Sequence, residues 1–263
     1  MKHKSIRIAD IQTSEIKYYD ELYEDICFKF CNERNIDCLP SLEDSNTVYV
    51  KGEKDKKFKI EEIKENRIVN QFEHIFSPNL LGKFSDNHLL LAHNNSELVG
   101  VIHFSDYNKP VVMTYLYSQI ASYERILRNH LYVRKFQNSD IIDYFKWKKD
   151  KAKRDNDKDF YSRKINKYKR NATEVEKSSP FQSFYLTELI GFLNHKGSKL
   201  NHNNVTELRN MIMHARDLVS LEDWNTRDFI YDFESFKKFF GSVTILFADK
   251  MRIENRTEFL KSE

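Results

Sequence analysis

The sequence is poor in the residues that break regular structure and in the motifs of several enzyme classes. Its 263 residues include only 6 glycines and 4 prolines, a shortage that favours long, ordered elements over loops. The chain contains no glycine-rich loop that could cradle phosphates and no recognisable motif around a serine or cysteine nucleophile. These absences argue against P-loop enzymes and against hydrolases that form an acyl-enzyme.

Long apolar runs and cysteine pairs are also missing. No run approaches the roughly 20 apolar residues that cross a bilayer, and the basic start MKHKSIR precedes no signal-peptide core. The three cysteines, Cys27, Cys31 and Cys38, are too few and too close together for a disulfide framework. We therefore expect a cytoplasmic protein with reduced, packed thiols and no membrane partner.

Charge is distributed unevenly along the chain, although its net value is only +3. Residues 1–110 carry 15 Lys+Arg against 19 Asp+Glu, whereas the remainder carries 28 against 21. Residues 146–170 account for this excess, with 12 Lys+Arg against 4 Asp, and Trp147, Phe160, Tyr161 and Tyr168 are interleaved. Cations can hold phosphates while bases stack on such rings, so RNA binding is one interpretation. A solvated helix or loop is the alternative.

The pattern of elements changes near Lys109-Pro110, from strand-rich to helix-rich. We predict an α+β protein with one domain over residues 1–110 and an all-α, up-and-down helical bundle over residues 111–263. Strands are predicted on either side of a polar turn between 47 and 60. A buried-type strand, a turn and a second strand are predicted between 89 and 104. Helical spacing and caps predict helices over 18–34, 66–76, 111–136, from 139 onward, 181–194, 205–218 and 229–251, with a frayed tail from 255.

The stretch VTELRNMIMHARDL, residues 205–218, carries the main functional prediction. Its apolar residues form one stripe, as expected of a helix that faces a core: Leu208, Met211, Ile212, Ala215, Leu218 and Val219. Arg209, Asn210 and His214 lie off that stripe. Asn210 and His214 share a face, whereas Arg209 and His214 diverge by roughly 140°. Two copies that meet across a symmetric interface would converge them more easily than one.

The pattern Arg209-Asn210-x3-His214 resembles the Arg-x4-6-His motif of HEPN domains. Many HEPN proteins are metal-independent ribonucleases of toxin or antiviral systems, active as dimers with the motif at the interface. Arg125 to His130 has the same spacing, and Arg67 to His74 fits the looser version. Context favours Arg209, because a polar residue follows it and its helix leaves the motif off the apolar stripe.

The N-terminal half is similar to a pair of CBS motifs, which bind adenosine nucleotides in many enzymes and channels. Cys38-Leu39-Pro40 with Glu43-Asp44 matches the first repeat, which departs from the pattern at 57–60, and residues 98–106 match the end of the second. The resemblance implies that Ser105 and Asp106 sit at a helix start, where the hydroxyl meets phosphate and the carboxylate meets the ribose. A structural helix cap is the alternative for this pair.

Joined, the two resemblances predict a HEPN-type endoribonuclease of a toxin or antiviral defence system. His214 would act as general acid and base. Arg209 would bind the phosphate and stabilise its negative charge in the transition state, and Asn210 would orient the imidazole or the RNA. Attack by the 2′-hydroxyl would leave a 2′,3′-cyclic phosphate, with no catalytic metal or cofactor. The expected regulatory ligand is ATP, ADP or AMP, and the expected partners are RNA, a second copy of the chain and an antitoxin. The alternative is a non-catalytic RNA- or protein-binding bundle coupled to a CBS-like sensor.

Overall fold

The computed structural model describes residues 5–34, 36–52, 57–87, 89–170, 181–214, 216–219 and 233–262. Its class is α+β, with the strands in the N-terminal part and the long helices in the C-terminal part, as the sequence predicts. None of the described helices combines the length and the apolar character needed to span a membrane.

Within the described residues, six strands form two small sheets. The first is an antiparallel meander of β1 (Cys38–Pro40), β2 (Thr47–Lys51) and β3 (Phe58–Glu62). In the second, β4 (Ile68–Asn70) runs parallel to β5 (Leu89–Asn94), which pairs antiparallel with β6 (Glu97–His103). The residues of β5 are buried up to His93, which explains a continuous apolar run in place of alternation.

Helices make up most of the remaining described chain. A short 3-10 helix, Phe104–Asn108, follows β6, and two others lie at Glu21–Tyr23 and Glu65–Arg67. The α-helices are α1 (Ile8–Ile11), α2 (Glu24–Arg34), α3 (Pro78–Asp86), α4 (Pro110–Val133), α5 (Asn138–Lys151), α6 (Asp155–Arg170), α7 (Leu186–His195), α8 (His202–Met213) and α9 (Phe233–Ser262).

Three of the predicted elements are wrong. The helix expected over 66–76 is a 3-10 turn followed by β4, because Ile68, Val69 and Asn70 pair with β5. The tail from 255 does not fray: α9 continues to Ser262, and Ile253 and Thr257 on it are buried. The helix expected over 205–218 ends at Met213. Each error reflects contacts with distant parts of the sequence.

The chain forms two compact units, residues 1–117 with 211–241 and residues 118–210 with 242–263. Helices α4, α8 and α9 each supply residues to both units. The boundary that the sequence predicts between one domain over residues 1–110 and a second over 111–263 stays a prediction.

Buried aromatic rings form the core of the first unit. Phe84, Phe104, Tyr107 and Phe236 pack with ring centroids 4.9–6.3 Å apart. The buried Tyr107 hydroxyl donates to the Ile75 carbonyl, which satisfies its only polar group. These contacts hold the 3-10 helix after β6 and thereby fix the position of Ser105 and Asp106, which belong to it.

A second aromatic cluster forms the core of the other unit. Tyr144, Phe145, Phe184 and Phe192 are buried and contact one another across α5, α7 and the segment before α7. Gly191 permits this packing, since a Cβ there would collide with the Tyr144 hydroxyl. The cluster fixes α7, and α7 is followed by the short turn that leads into α8.

One buried histidine ties α4 to α9 within this unit. The Thr257 hydroxyl donates to the Ile253 carbonyl, so the Nδ1–H of His130 must donate to the Thr257 oxygen, 2.8 Å away. Burial, reinforced by Arg134 and Arg256, lowers the pKa of His130 to about 4. The folded protein therefore holds this imidazole neutral at pH values where the unfolded chain is protonated.

Acid should consequently destabilise the protein through His130. Its pKa is near 6.5 in the unfolded chain and about 4 in the fold, so stability is lost as pH falls through that window. The loss between pH 7 and pH 5 should be about 2 kcal/mol. His130→Asn, which can keep the bond to Thr257, should show a free energy of unfolding less dependent on pH by that amount in urea titrations. Equal pH dependence of the two proteins would contradict the assignment.

Candidate functional site

Helix α8 presents Arg209 and Asn210 on its outer side because its other side is in the core. Val205 and Leu208 are buried, and Ile212 is nearly so, at the three-to-four spacing of a core-facing helix. Arg209 is half-buried and Asn210 is exposed. The Arg209 Nη1 donates to the Asn210 Oδ1 over 3.3 Å. Asn210 therefore contacts the arginine, a partner that the sequence did not indicate.

His214 lies one residue beyond the end of α8, in an exposed turn. The helix that carries Asn210 therefore does not include His214, and the shared face of the two residues stays a prediction. Its ring has no hydrogen-bond or ion-pair partner within the described part of the chain, and Asp217 is exposed without pairing with it. Arg209 and Asn210 belong to the second unit, and His214 belongs to the first.

Beyond the end of α8, the Asn108 side chain holds the main chain through three hydrogen bonds. The N–H groups of Leu218 and Val219 donate to Asn108 Oδ1 over 2.8 and 2.9 Å, and Asn108 Nδ2 donates to the Val219 carbonyl over 2.9 Å. Leu218 and Val219 are fully buried. One amide side chain thus fixes the segment that follows His214, within the first unit.

The two other Arg–His spacings differ sharply from the motif. His130 is buried and bonded to Thr257, which removes it from any external substrate. His74 contacts the Tyr115 hydroxyl and accepts from the Phe76 N–H, while Arg67 binds Asp37, Cys38 and Asn87. Burial also lowers the pKa of His74. Of the three histidines, His214 alone is exposed to solvent.

Ser105 and Asp106 lie in the 3-10 helix after β6, which begins where the sequence places it. The Asp106 carboxylate accepts from the His103 N–H over 2.7 Å and pairs with Lys109 over 2.9 Å. The Ser105 hydroxyl lies 2.7 Å from His103 Nδ1. Burial raises the pKa of Asp106, against the lowering effects of His103 and Lys109. The Asp106 side chain therefore caps the 3-10 helix together with His103, whereas the Ser105 hydroxyl contacts the His103 ring. A ribose would have to displace or share these contacts.

Residues 146–170, the basic tract, include the end of α5 and all of α6. Lys146, Lys158 and Lys164 are paired with Asp143, Asp155 and Glu188. The other cations of the tract make no ion pair within the described residues. The half-exposed ring of Trp147 has Lys151 Nζ 4.6 Å and the His195 ring 4.8 Å from its centroid. This surface combines unpaired positive charge with an accessible ring.

Metal ligation and thiol chemistry find no support in the described residues. No group of three histidine, cysteine, aspartate or glutamate side chains among them is placed to hold a metal ion. Cys27, Cys31 and Cys38 are buried free thiols, and burial raises the pKa of Cys31 to about 11 and of Cys38 to about 12. Such thiols are poor nucleophiles because the reactive thiolate is disfavoured.

Comparison of the chain with family models, with curated proteins and with solved structures finds no significant match. The geometry of its own residues therefore has to support any assignment of function.

Removing the Asn108 amide should loosen the turn that carries His214. Asn108→Ala leaves two buried N–H groups and one carbonyl unpaired, at a cost on the order of 2 kcal/mol to the local structure. Hydrogen exchange followed by mass spectrometry should show faster exchange over residues 216–219. Asn108→Asp keeps the acceptor and should lie between, and the exposed Asn129→Ala is the control. Unchanged protection of 216–219 in Asn108→Ala would refute the role.

Proposed function

We propose that the protein is a metal-independent endoribonuclease that cleaves RNA by attack of a 2′-hydroxyl on the adjacent phosphorus. The observation that carries the proposal is the exposed, unpaired imidazole of His214, five residues from the arginine Arg209 on the outer side of α8. The resemblance to HEPN domains supports the same reading.

In this mechanism His214 exchanges protons and Arg209 stabilises charge. An imidazole has an ordinary pKa near 6.5, so it can take the proton of the 2′-hydroxyl and return one to the leaving 5′-oxygen. The guanidinium remains charged and can donate two parallel hydrogen bonds to the phosphoryl oxygens as negative charge accumulates. Asn210, which accepts from Arg209, would hold the guanidinium in orientation. The products are a 2′,3′-cyclic phosphate and a 5′-hydroxyl.

The active unit that we propose is a homodimer with a composite cleft. Arg209 and His214 would diverge by roughly 140° on an ideal helix, so in this proposal Arg209 of one copy and His214 of the other meet at the symmetric interface. A role in a toxin or antiviral system, an antitoxin partner and regulation by ATP, ADP or AMP at Ser105 and Asp106 complete the proposal. Asn108, two residues from Asp106, would link that turn to the segment after His214.

The second candidate is a non-catalytic RNA- or protein-binding module. The surface around Trp147, with Lys148 and Lys151 beside the ring, favours it as a binder of single-stranded RNA. Binding and cleavage are separate properties, so this candidate predicts RNA binding without cyclic-phosphate products.

Cleavage should depend on both motif residues and not on a metal. Wild-type protein incubated with tRNA and total RNA in EDTA should give fragments ending in 2′,3′-cyclic phosphate. Arg209→Ala and His214→Ala should each lower the rate by roughly 10²–10⁴-fold, the range for loss of a proton-transfer group or a charge-stabilising donor.

The exposed Arg216→Ala is the matched control for loss of a neighbouring cation and should leave the rate unchanged. Cleavage that survives both motif substitutions would eliminate the site. Absence of cleavage with and without ATP, ADP and AMP would favour the binding module.

The proposed regulatory site is tested by calorimetry, with the same nucleotides, on wild type and Asp106→Ala. Equal affinities of the two proteins would exclude the contact between Asp106 and the ribose.

The composite cleft predicts that two inactive variants rescue one another. In a mixed dimer of Arg209→Ala and His214→Ala chains, one cleft keeps both residues and the other loses both. Random exchange of subunits should therefore restore about a quarter of wild-type activity, because half of the dimers carry one intact cleft. The readout is the cleavage rate after co-refolding or subunit exchange. No rescue in verified mixed dimers would place the complete site within one chain.

A further inference from the structure

A groove at the beginning of α8 offers a binding site that the proposed mechanism does not use. It lies within the second unit, has a volume of about 530 Å³, and is open to solvent. Its walls come from residues 199–203 and from the α9 residues Ile245, Ala248, Asp249 and Arg252.

The charge of this groove is positive at the positions that a ligand can reach. The Asp249 carboxylate is covered, with 8% of its side chain exposed, and both oxygens are occupied: Oδ2 by the Asn201 N–H at 2.8 Å and Oδ1 by Arg252 at 2.6 Å. The Arg252 side chain keeps 38% exposure. Lys199 is exposed, and its ammonium has no partner among the described residues. Arg252 and Asp249 balance each other, so the net positive charge of the groove comes from the exposed ammonium of Lys199, and the part-exposed guanidinium of Arg252 remains within reach of a ligand.

The structure fixes the guanidinium of Arg252 in place. Arg252 Nη2 also donates to the Lys199 carbonyl over 3.0 Å, so the guanidinium is tied to the loop as well as to Asp249. A cation held in this way loses less conformational entropy on binding than a free surface side chain does. The backbone of Lys199 adopts a left-handed conformation, with φ of 52°, where the chain turns into α8.

The groove lies on the same side of α8 as the arginine of the motif. His202 lines the groove and Arg209 follows it by seven residues, which is within about 20° of two full turns and about 10 Å along the helix. Asn203, which also lines the groove, and Asn210 are likewise seven residues apart and lie on one side of α8. A chain of phosphates that follows α8 would pass from Lys199 and Arg252 to Arg209 without changing face.

We propose that this groove binds a backbone phosphate of the RNA strand on one side of the bond to be cleaved, and so sets the position of the strand along α8. The inference rests on the proposed function for its ligand. Forked guanidinium and ammonium groups suit phosphate oxygens, and no base-specific contact is required.

The test is the salt dependence of RNA binding by the full chain. The ligand is single-stranded RNA carrying 2′-O-methyl groups, which lack the attacking hydroxyl and so separate binding from cleavage. Lys199→Asn removes the charge with a residue that tolerates a left-handed backbone. It should weaken binding and reduce the slope of log K against log salt by about 0.7, the value for one lost phosphate contact. Lys199→Glu should weaken binding further.

Lys29→Gln is the control, because it removes one exposed lysine of α2 in the other unit and should leave the slope unchanged. An unchanged slope for Lys199→Asn, or an equal change for Lys29→Gln, would overturn the inference. Competition with ATP distinguishes RNA phosphate from the phosphate of a free nucleotide. If Lys199→Asn abolishes ATP binding and leaves the salt slope of RNA binding unchanged, the groove is a free-nucleotide site, and this result would also overturn the inference. Binding that fits the prediction in a protein without nuclease activity would refute the proposed function alone.

Discussion

The burial of one side of α8 is the constraint on which the candidate site depends. Val205, Leu208 and Ile212 leave water together, and burying aliphatic side chains of this size contributes roughly 1.5–3 kcal/mol each. No rotation of the helix can keep these three buried and also bury Arg209 and Asn210. The core therefore decides which polar residues face outward, and the exposed side of α8 follows from packing that has no chemical role.

The segment after α8 is held by a different requirement, which is that buried main-chain groups find partners. Leu218 and Val219 are fully buried, so their N–H groups need acceptors, and the Asn108 side chain supplies one for both. The amide acts beyond the helix, which ends at Met213. Local propensity cannot reveal this contact, because Asn108 is 110 residues away from Leu218.

The sequence was sufficient where periodicity and local caps decide, and insufficient where distant partners do. The α+β class, strands β5 and β6, and the apolar stripe of α8 followed from spacing. The helix expected over 66–76 failed because β4 pairs with β5 across a helical connection. The candidate site shows the same division. Spacing predicted Arg209 and His214, which stay predictions, whereas the Asn210 contact with Arg209 and the groove beside Asp249 arise from three-dimensional packing.

Burial also explains why spacing alone cannot select among Arg–His pairs. A histidine that exchanges protons with a substrate must be reachable and must tolerate both charge states. His130 satisfies neither condition. It is buried, and burial together with the charges of Arg134 and Arg256 lowers its pKa to about 4, which disfavours the protonated imidazole. The same spacing on α4 and after α8 therefore has opposite meanings. On α4 the imidazole stabilises the fold through Thr257, and beyond α8 the fold leaves the imidazole of His214 available to solvent.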